Sequence, residues 1–184
     1  MLLFSDSFGH ALLAYVIKNG PKGRKFGRTH MQKIPYILKA IDVLVPFSYR
    51  LYFYGPYSQD ITFAIDDLIA DDVIKDTSPD RQKFSSFIAG ENCDELIGRF
   101  KKEIGPHETL IKKVIDIFNI SPEKLELITT LHYLCLELKT TAGASPAKKE
   151  LISAFKGVKG NKFTDKEISQ MIKVLSEIGF IKLK

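Results

Sequence analysis

The chain has 184 residues, a net charge of +5 and a pI near 9.1, with 45% apolar and 27% charged residues. That is the composition of a soluble globular protein long enough to bury a core, and it excludes a disordered or fibrous chain. No apolar run reaches the roughly 18 residues that a bilayer crossing needs. Cys93 and Cys135 stand far apart without CxxC or His spacing, which argues against a disulfide framework or a zinc site and for two reduced thiols. The start, Met-Leu-Leu-Phe-Ser-Asp, lacks the basic end and long apolar centre of a signal peptide, so a cytoplasmic protein is expected. The charge is uneven: residues 1–57 carry +6, residues 58–92 carry −5 and residues 93–184 carry +4.

In chain order, apolar residues 8, 12, 13, 16 and 17 have helical spacing, and Asn19-Gly20-Pro21 ends that helix. A glycine-rich basic loop follows, with Lys22, Arg24, Lys25 and Arg28. Thr29 is placed to cap a second helix whose stripe is Met31, Ile34, Ile37, Leu38 and Ile41. Pro35 lies inside it, removes a backbone donor and predicts a kink, costing about 3 kcal/mol if uncompensated. Phe47, Tyr49, Leu51 and Phe53 then alternate as the core face of a strand, with Ser48, Arg50, Tyr52 and Tyr54 opposite. Gly55-Pro56 predicts the turn, and Ser58 the cap of a helix with the stripe Ile61, Ala64, Ile65, Leu68 and Ile69. Loss of that cap in Ser58→Ala would cost on the order of 1 kcal/mol. Val73-Ile74-Lys75 and Lys83 to Ala89 read as a hairpin.

Gly90 to Asn92 reads as a seam between a unit over 1–90 and a helical unit over 91–184, with one compact domain as the alternative. Helices are predicted over 94–104, 106–118, 122–138 and 146–156, the last two opened by Ser121-Pro122 and Ser145-Pro146. Thr164-Asp-Lys-Glu167 is a capping box opening a final helix, followed by a terminal strand at 180–182. Residues 68–75 and 175–182 echo each other as a helix running into a strand. The expected fold is mostly α with a minor β part: a winged-helix-like N-terminal unit with a small antiparallel sheet, packed on a helical C-terminal unit that holds a second helix-turn-helix.

Three stretches together resemble the YwgA-like proteins of prokaryotes, a group distantly similar to the Panacea domain of SocA-type antitoxins. They are Met31-Gln32-Lys33-Ile34-Pro35-Tyr36, Tyr54-Gly55-Pro56-Tyr57-Ser58, and Leu125-Glu126-Leu127 with His132-Tyr133-Leu134. The resemblance implies a helical fold with a winged-helix-like core, no established enzymatic activity, and an antitoxin or adaptor role.

The residues themselves carry little chemistry. His10, His30, His107 and His132 are scattered and form no HExxH, and there is no GxSxG. No catalytic residue, metal site or cofactor is therefore expected. On the 58–72 helix the outward face carries Asp60, Asp66, Asp67 and Asp71 and no Lys or Arg, so carboxylates would oppose phosphate there. That face, with Arg50, Tyr52, Tyr54 and Tyr57, predicts contact with another protein bearing a basic surface. The alternative is a DNA-binding regulator of weak sequence preference that uses Lys22, Arg24, Lys25, Arg28, Lys162, Lys166 and Lys173. After Arg99 every basic residue is lysine, which lacks the planar fork that reads guanine. A homodimer is compatible with both readings, and no membrane partner is expected.

Overall fold

The computed structural model describes residues 2–21, 26–78 and 85–184. In chain order its elements are α1 (Phe8–Lys18), α2 (Arg28–Ala40), β1 (Arg50–Tyr52), β2 (Gly55–Tyr57), α3 (Gln59–Ala70), β3 (Ile74–Asp76) and β4 (Phe87–Ala89). There follow α4 (Cys93–Arg99), α5 (Lys101–Ile104), a 3-10 turn (Gly105–His107), α6 (Glu108–Ile117), α7 (Pro122–Ala142), α8 (Lys148–Lys159) and α9 (Asp165–Glu177). With 61% of the described residues helical and the strands among them paired as β1–β2 and β3–β4, both antiparallel, the fold is mostly α with a minor β part.

Two compact units result, Met1–Tyr49 with Ser58–Pro122 and Arg50–Tyr57 with Glu123–Lys184. The seam expected at 90–92 lies inside the first. Its reason is steric: a Cβ on Gly90 would come within 2.2 Å of Asp72 O, and the Gly90 N–H donates to Val73 O at 2.8 Å. A residue packed backbone against backbone is no linker.

In the first unit α1, α2 and α3 followed by the β3–β4 hairpin reproduce the helix-helix-helix-wing order of a winged helix. The centre is α1, which packs against α2, α3, α4, α6 and β4. Its run Ala-Leu-Leu-Ala-Tyr-Val-Ile is apolar around the whole cylinder, and all of Ala11–Ile17 is buried instead of the predicted single stripe. The second helix is capped at Gly27, two residues before Thr29, and runs through Pro35 without a break. The helix predicted over 94–104 is interrupted at Phe100, which leaves the helical region at ψ 25°.

Both α2 and α3 end on an aspartate in the left-handed region, Asp42 at φ 63° and Asp72 at φ 51°. The Val43 N–H reaches Leu38 O at 3.0 Å and the Val73 N–H reaches Leu68 O at 2.9 Å, the closure expected after such a residue. In the second unit α9 ends the same way, with Gly179 at φ 74° and the Phe180 N–H on Leu175 O at 2.9 Å. The echo of 68–75 in 175–182 is thus a shared helix ending. It goes no further, because β3 has β4 to pair with and residues 180–182 form no strand.

The second unit holds the β1–β2 hairpin with α7, α8 and α9. Its core includes Leu151, Phe155, Ile168 and Leu175, with the Phe163 ring edge-on to Phe155 at 5.7 Å. The capping box of α9 forms as predicted: the Glu167 N–H donates to Thr164 Oγ1 (3.3 Å) and the Thr164 N–H to Glu167 Oε2 (2.8 Å). The start of α8 moves from Ser145 to Ala147, whose N–H donates to Glu150 Oε2 at 2.6 Å, and α7 continues to Ala142.

The aromatic stretch departs most from expectation. Its turn is Phe53-Tyr54, and Gly55-Pro56 belongs to β2, in the register Arg50↔Tyr57, Leu51↔Pro56 and Tyr52↔Gly55. Gly55 at φ 85° supplies the left-handed residue that follows a turn of two ordinary residues, and proline is tolerated in a two-stranded ribbon because both strands are edges. Phe53 therefore lies on the surface, whereas Phe47 stays buried in the first unit.

Ser58 occupies the N-cap of α3, yet its hydroxyl makes no cap bond and is buried without a partner among the described residues. The side chain of Gln32 does the work instead. Its Oε1 accepts the Ser58 N–H (2.8 Å) and its Nε2 donates to Ser58 O (2.9 Å). Ser58→Ala should consequently change stability by less than about 0.5 kcal/mol, against about 1 kcal/mol for an ordinary cap. Gln32→Ala strands a buried donor and acceptor and should cost about 3 kcal/mol in urea unfolding.

At the other end of α3 Asp71 is buried, not part of an outward face. Its carboxylate accepts the N–H groups of Leu3, Phe4 and Ser5 at 2.7–3.1 Å. Burial raises its pKa, but these three donors outweigh burial and hold it below the usual carboxylate value. A depressed folded pKa means the contribution is complete above the unfolded value of about 4 and is lost as pH falls through the folded one. Corrected for the intrinsic pH dependence of exchange, protection of the amides of residues 3–5 should therefore be strong near neutrality and fall below about pH 4, while Asp71→Ala should remove it at any pH.

Candidate functional site

The predicted partner residues separate into two surfaces, one on each unit. On the second unit Tyr52, Phe53 and Tyr54 form the tip of the β1–β2 hairpin, 59%, 79% and 69% exposed. Tyr57 is half-buried and stacks on Tyr52 with ring centroids 5.6 Å apart, and exposed Arg50 sits opposite Tyr57 in the ladder. The tip is anchored from beneath. The Lys159 ammonium, at the end of α8, donates to Phe53 O and lies 2.8 Å from Glu126 Oε1 of α7. Lys162 donates to Glu126 Oε2 at 2.7 Å and stands 5.3 Å above the Tyr54 ring. The side chains of Lys159 and Glu126 are only 2% and 5% exposed. Burial lowers the Lys159 pKa, and the Glu126 carboxylate offsets part of that.

Glu126 interrupts the apolar run Leu125–Ile128, and that was the one signal of this network in the sequence. Lys159 carried none: it closes a helix among other lysines and reads as surface. Phe53, placed in the core by strand alternation, was missed as a tip residue for the reason given above.

On the first unit α3 presents Asp60 and Asp66 to solvent, with Phe63 60% exposed between them. Asp67 is half-exposed, 3.3 Å from His10 Nε2, while Asp71 is withdrawn to the N-terminal segment. Phe63 lies off the stripe 61, 64, 65, 68, so its exposure was readable from the spacing, as the pairing of His10 with Asp67 was not. The lining of a groove of about 370 Å³ includes His10, Pro46, Phe47, Asp60, Phe63 and Asp67.

The basic residues of the alternative reading are dispersed. Lys22, Arg24 and Lys25 lie outside the described residues. Arg28 is exposed, with its guanidinium 5.9 Å from the Phe87 ring and its N–H on Ser85 Oγ. Lys162 is engaged with Glu126, which leaves Lys166 and Lys173 exposed on α9, the latter 3.8 Å from Glu177. Burial pushes His132, beside the Phe180 ring at 4.3 Å, down to about 4. A neutral, buried imidazole of that kind packs rather than titrates. Among the described residues no three His, Cys, Asp or Glu side chains gather as metal ligands, and no helix is long and apolar enough to cross a membrane.

Removing Lys159 strips the buried Glu126 carboxylate of its buried partner and leaves it only Lys162, whose side chain is 40% exposed. Lys159→Ala should cost on the order of 3 kcal/mol in urea unfolding, and Glu126→Leu combined with Lys159→Met should recover most of it. No protein-family model and no curated protein matches the chain, so the YwgA-like resemblance rests on its three motifs alone.

Proposed function

We propose that the protein is a non-catalytic adaptor of the regulatory or antitoxin-like kind, acting through contact with another protein. The observation that supports this reading is the hairpin tip. Three consecutive aromatic side chains are held out in water, where their burial on a partner would be favourable. A floppy loop would lose much of that gain to ordering on binding. Here the turn carbonyl is already fixed by Lys159 and the Tyr54 ring is covered on one side by Lys162, so less remains to be ordered.

The DNA-binding alternative draws on Lys166 and Lys173, the two cations of its C-terminal set left without a buried role. Two lysines on one helix would give a shallow salt dependence and little sequence preference. Replacing Tyr52, Phe53 and Tyr54 together by serine should leave the melting temperature within a few degrees and abolish capture of the partner from native lysate. Tight binding to duplex DNA at moderate salt, lost in Lys166→Glu/Lys173→Glu and kept in the triple serine variant, would overturn the adaptor reading in favour of the alternative.

A further inference from the structure

The acidic groove of the first unit combines features that a solvated helix face does not need. Asp60, Phe63 and Asp67 stand at i, i+3 and i+7 of α3, which puts a carboxylate one turn before and one turn after an exposed aromatic ring. Phe63 is 60% exposed, and a lone surface phenylalanine would be unremarkable. This one forms part of the wall of a groove whose remaining surface includes the apolar Phe8, Pro46, Phe47 and Ala64. The opposite wall comes close because residue 9 is glycine: a Cβ there would fall 2.9 Å from the Phe47 ring. Lys39 tethers that wall by donating to Phe47 O at 2.6 Å and does not line the groove.

The charge in the groove is held in place. Ser7 Oγ lies 2.7 Å from His10 Nδ1, and His10 Nε2 lies 3.3 Å from Asp67 Oδ2. These two contacts run from Ser7 through the imidazole to Asp67 and fix the orientation of its carboxylate. That carboxylate is still 42% exposed. Among the described residues no cation pairs with Asp60 or Asp66, and α3 contains no Lys or Arg.

We propose that this groove receives an arginine side chain from a segment of the partner protein. The guanidinium lies flat on the Phe63 ring and donates to Asp60 and Asp67, and the methylene stem rests on Phe8, Pro46 and Phe47. Each part of the groove matches one part of that side chain: cation on ring face, planar fork on carboxylates, apolar stem on apolar wall. Lysine would satisfy the charge but lacks the planar stack and the fork. This deepens the protein-contact reading and rests on it, since it names the chemistry of the partner at a second surface.

The test is a titration of the ¹⁵N-labelled chain with the peptide acetyl-Leu-Arg-Ala-Arg-Leu-amide, alongside versions in which citrulline or lysine replaces both arginines. Shifts are expected at the start of α1, at 46–47 and along α3. The citrulline peptide should bind at least about tenfold more weakly, with the lysine peptide in between. Phe63→Ser and the double change Asp60→Asn/Asp67→Asn should each weaken the arginine peptide by about tenfold or more with the dispersion of the spectrum unchanged. The carboxamide oxygen that Asp67→Asn introduces can still accept from His10, so loss of binding there reports charge and not the fold. Equal binding of arginine and citrulline peptides, or shifts that survive both variants, would overturn the proposal. The triple serine hairpin variant separates the two claims. If hairpin-dependent capture persists and no arginine peptide binds, only the groove assignment falls. If the peptide binds and capture ignores the hairpin, only the tip assignment falls.

Discussion

A single carboxamide governs where α3 of the first unit begins. Gln32 spends both its donor and its acceptor on the backbone of Ser58, the residue at which the chain returns from the hairpin to start α3. Both groups are buried, so nothing in water can replace the bonds, and leaving either unmade costs more than forming it gains. The start of α3 sets the rotation of the whole helix. That rotation decides that Ile61, Ile65 and Leu68 enter the core while Asp60, Phe63 and Asp66 face water. A serine cap would have held one N–H; the glutamine holds an N–H and a carbonyl from a neighbouring helix, which ties α3 to α2 as well as starting it.

The hairpin tip in the second unit solves a different problem with the same economy. An exposed aromatic turn is an aggregation hazard unless its geometry is fixed and its neighbours are charged. The buried pair of Lys159 and Glu126 supplies the fixing through Phe53 O, and Lys162 supplies the charge beside Tyr54. An ion pair at this depth contributes little net stability against an apolar substitute. What it provides is a directed donor: an ammonium held by a carboxylate has protons left over for a carbonyl, as no leucine or methionine would.

Where the sequence was legible, local rules and packing agreed. The stripe of α3, with Ile69 half-buried, and the capping box at Thr164 follow from spacing and cap chemistry and stand where expected; the β3–β4 hairpin pairs Ile74–Asp76 with Phe87–Ala89, a later start than the expected Lys83, and residues 83–84 lie outside the described residues. It misled where a distant residue overrode a local signal. Ser58 looks like a cap because serine at that position usually is one; Gln32, 26 residues earlier, has taken its role. Gly55-Pro56 looks like a turn because that dipeptide usually is; here the positive φ of glycine is used one residue after the turn, and the strand alternation that placed Phe53 in the core shifted with it. Asp71 looked like its exposed neighbours on α3 because nothing in its own surroundings shows that the amides of residues 3–5 fold back onto it. The failures at Ser58 and Asp71 concern a polar group whose partner is remote in sequence, and periodicity carries no information about such partners; the one at Gly55 is a local shift of the turn by two residues.

The same distinction separates the two aspartate roles on one helix. Asp71 is held as a carboxylate by backbone donors and serves structure; Asp60 and Asp66 have no cation among the described residues, and Asp67 meets the His10 imidazole. A helix that kept three carboxylates around an exposed phenylalanine for solubility alone could have scattered them around its outer arc. Asp60 and Asp67 instead bracket Phe63 along a single line, beside a wall that Gly9 allows to approach. Solubility has no use for that alignment, whereas a planar cation does. The net positive charge of the chain, which at first points toward nucleic acid, is therefore a poor guide to this surface: the local field at α3 has the opposite sign, and a partner docking there meets the local field.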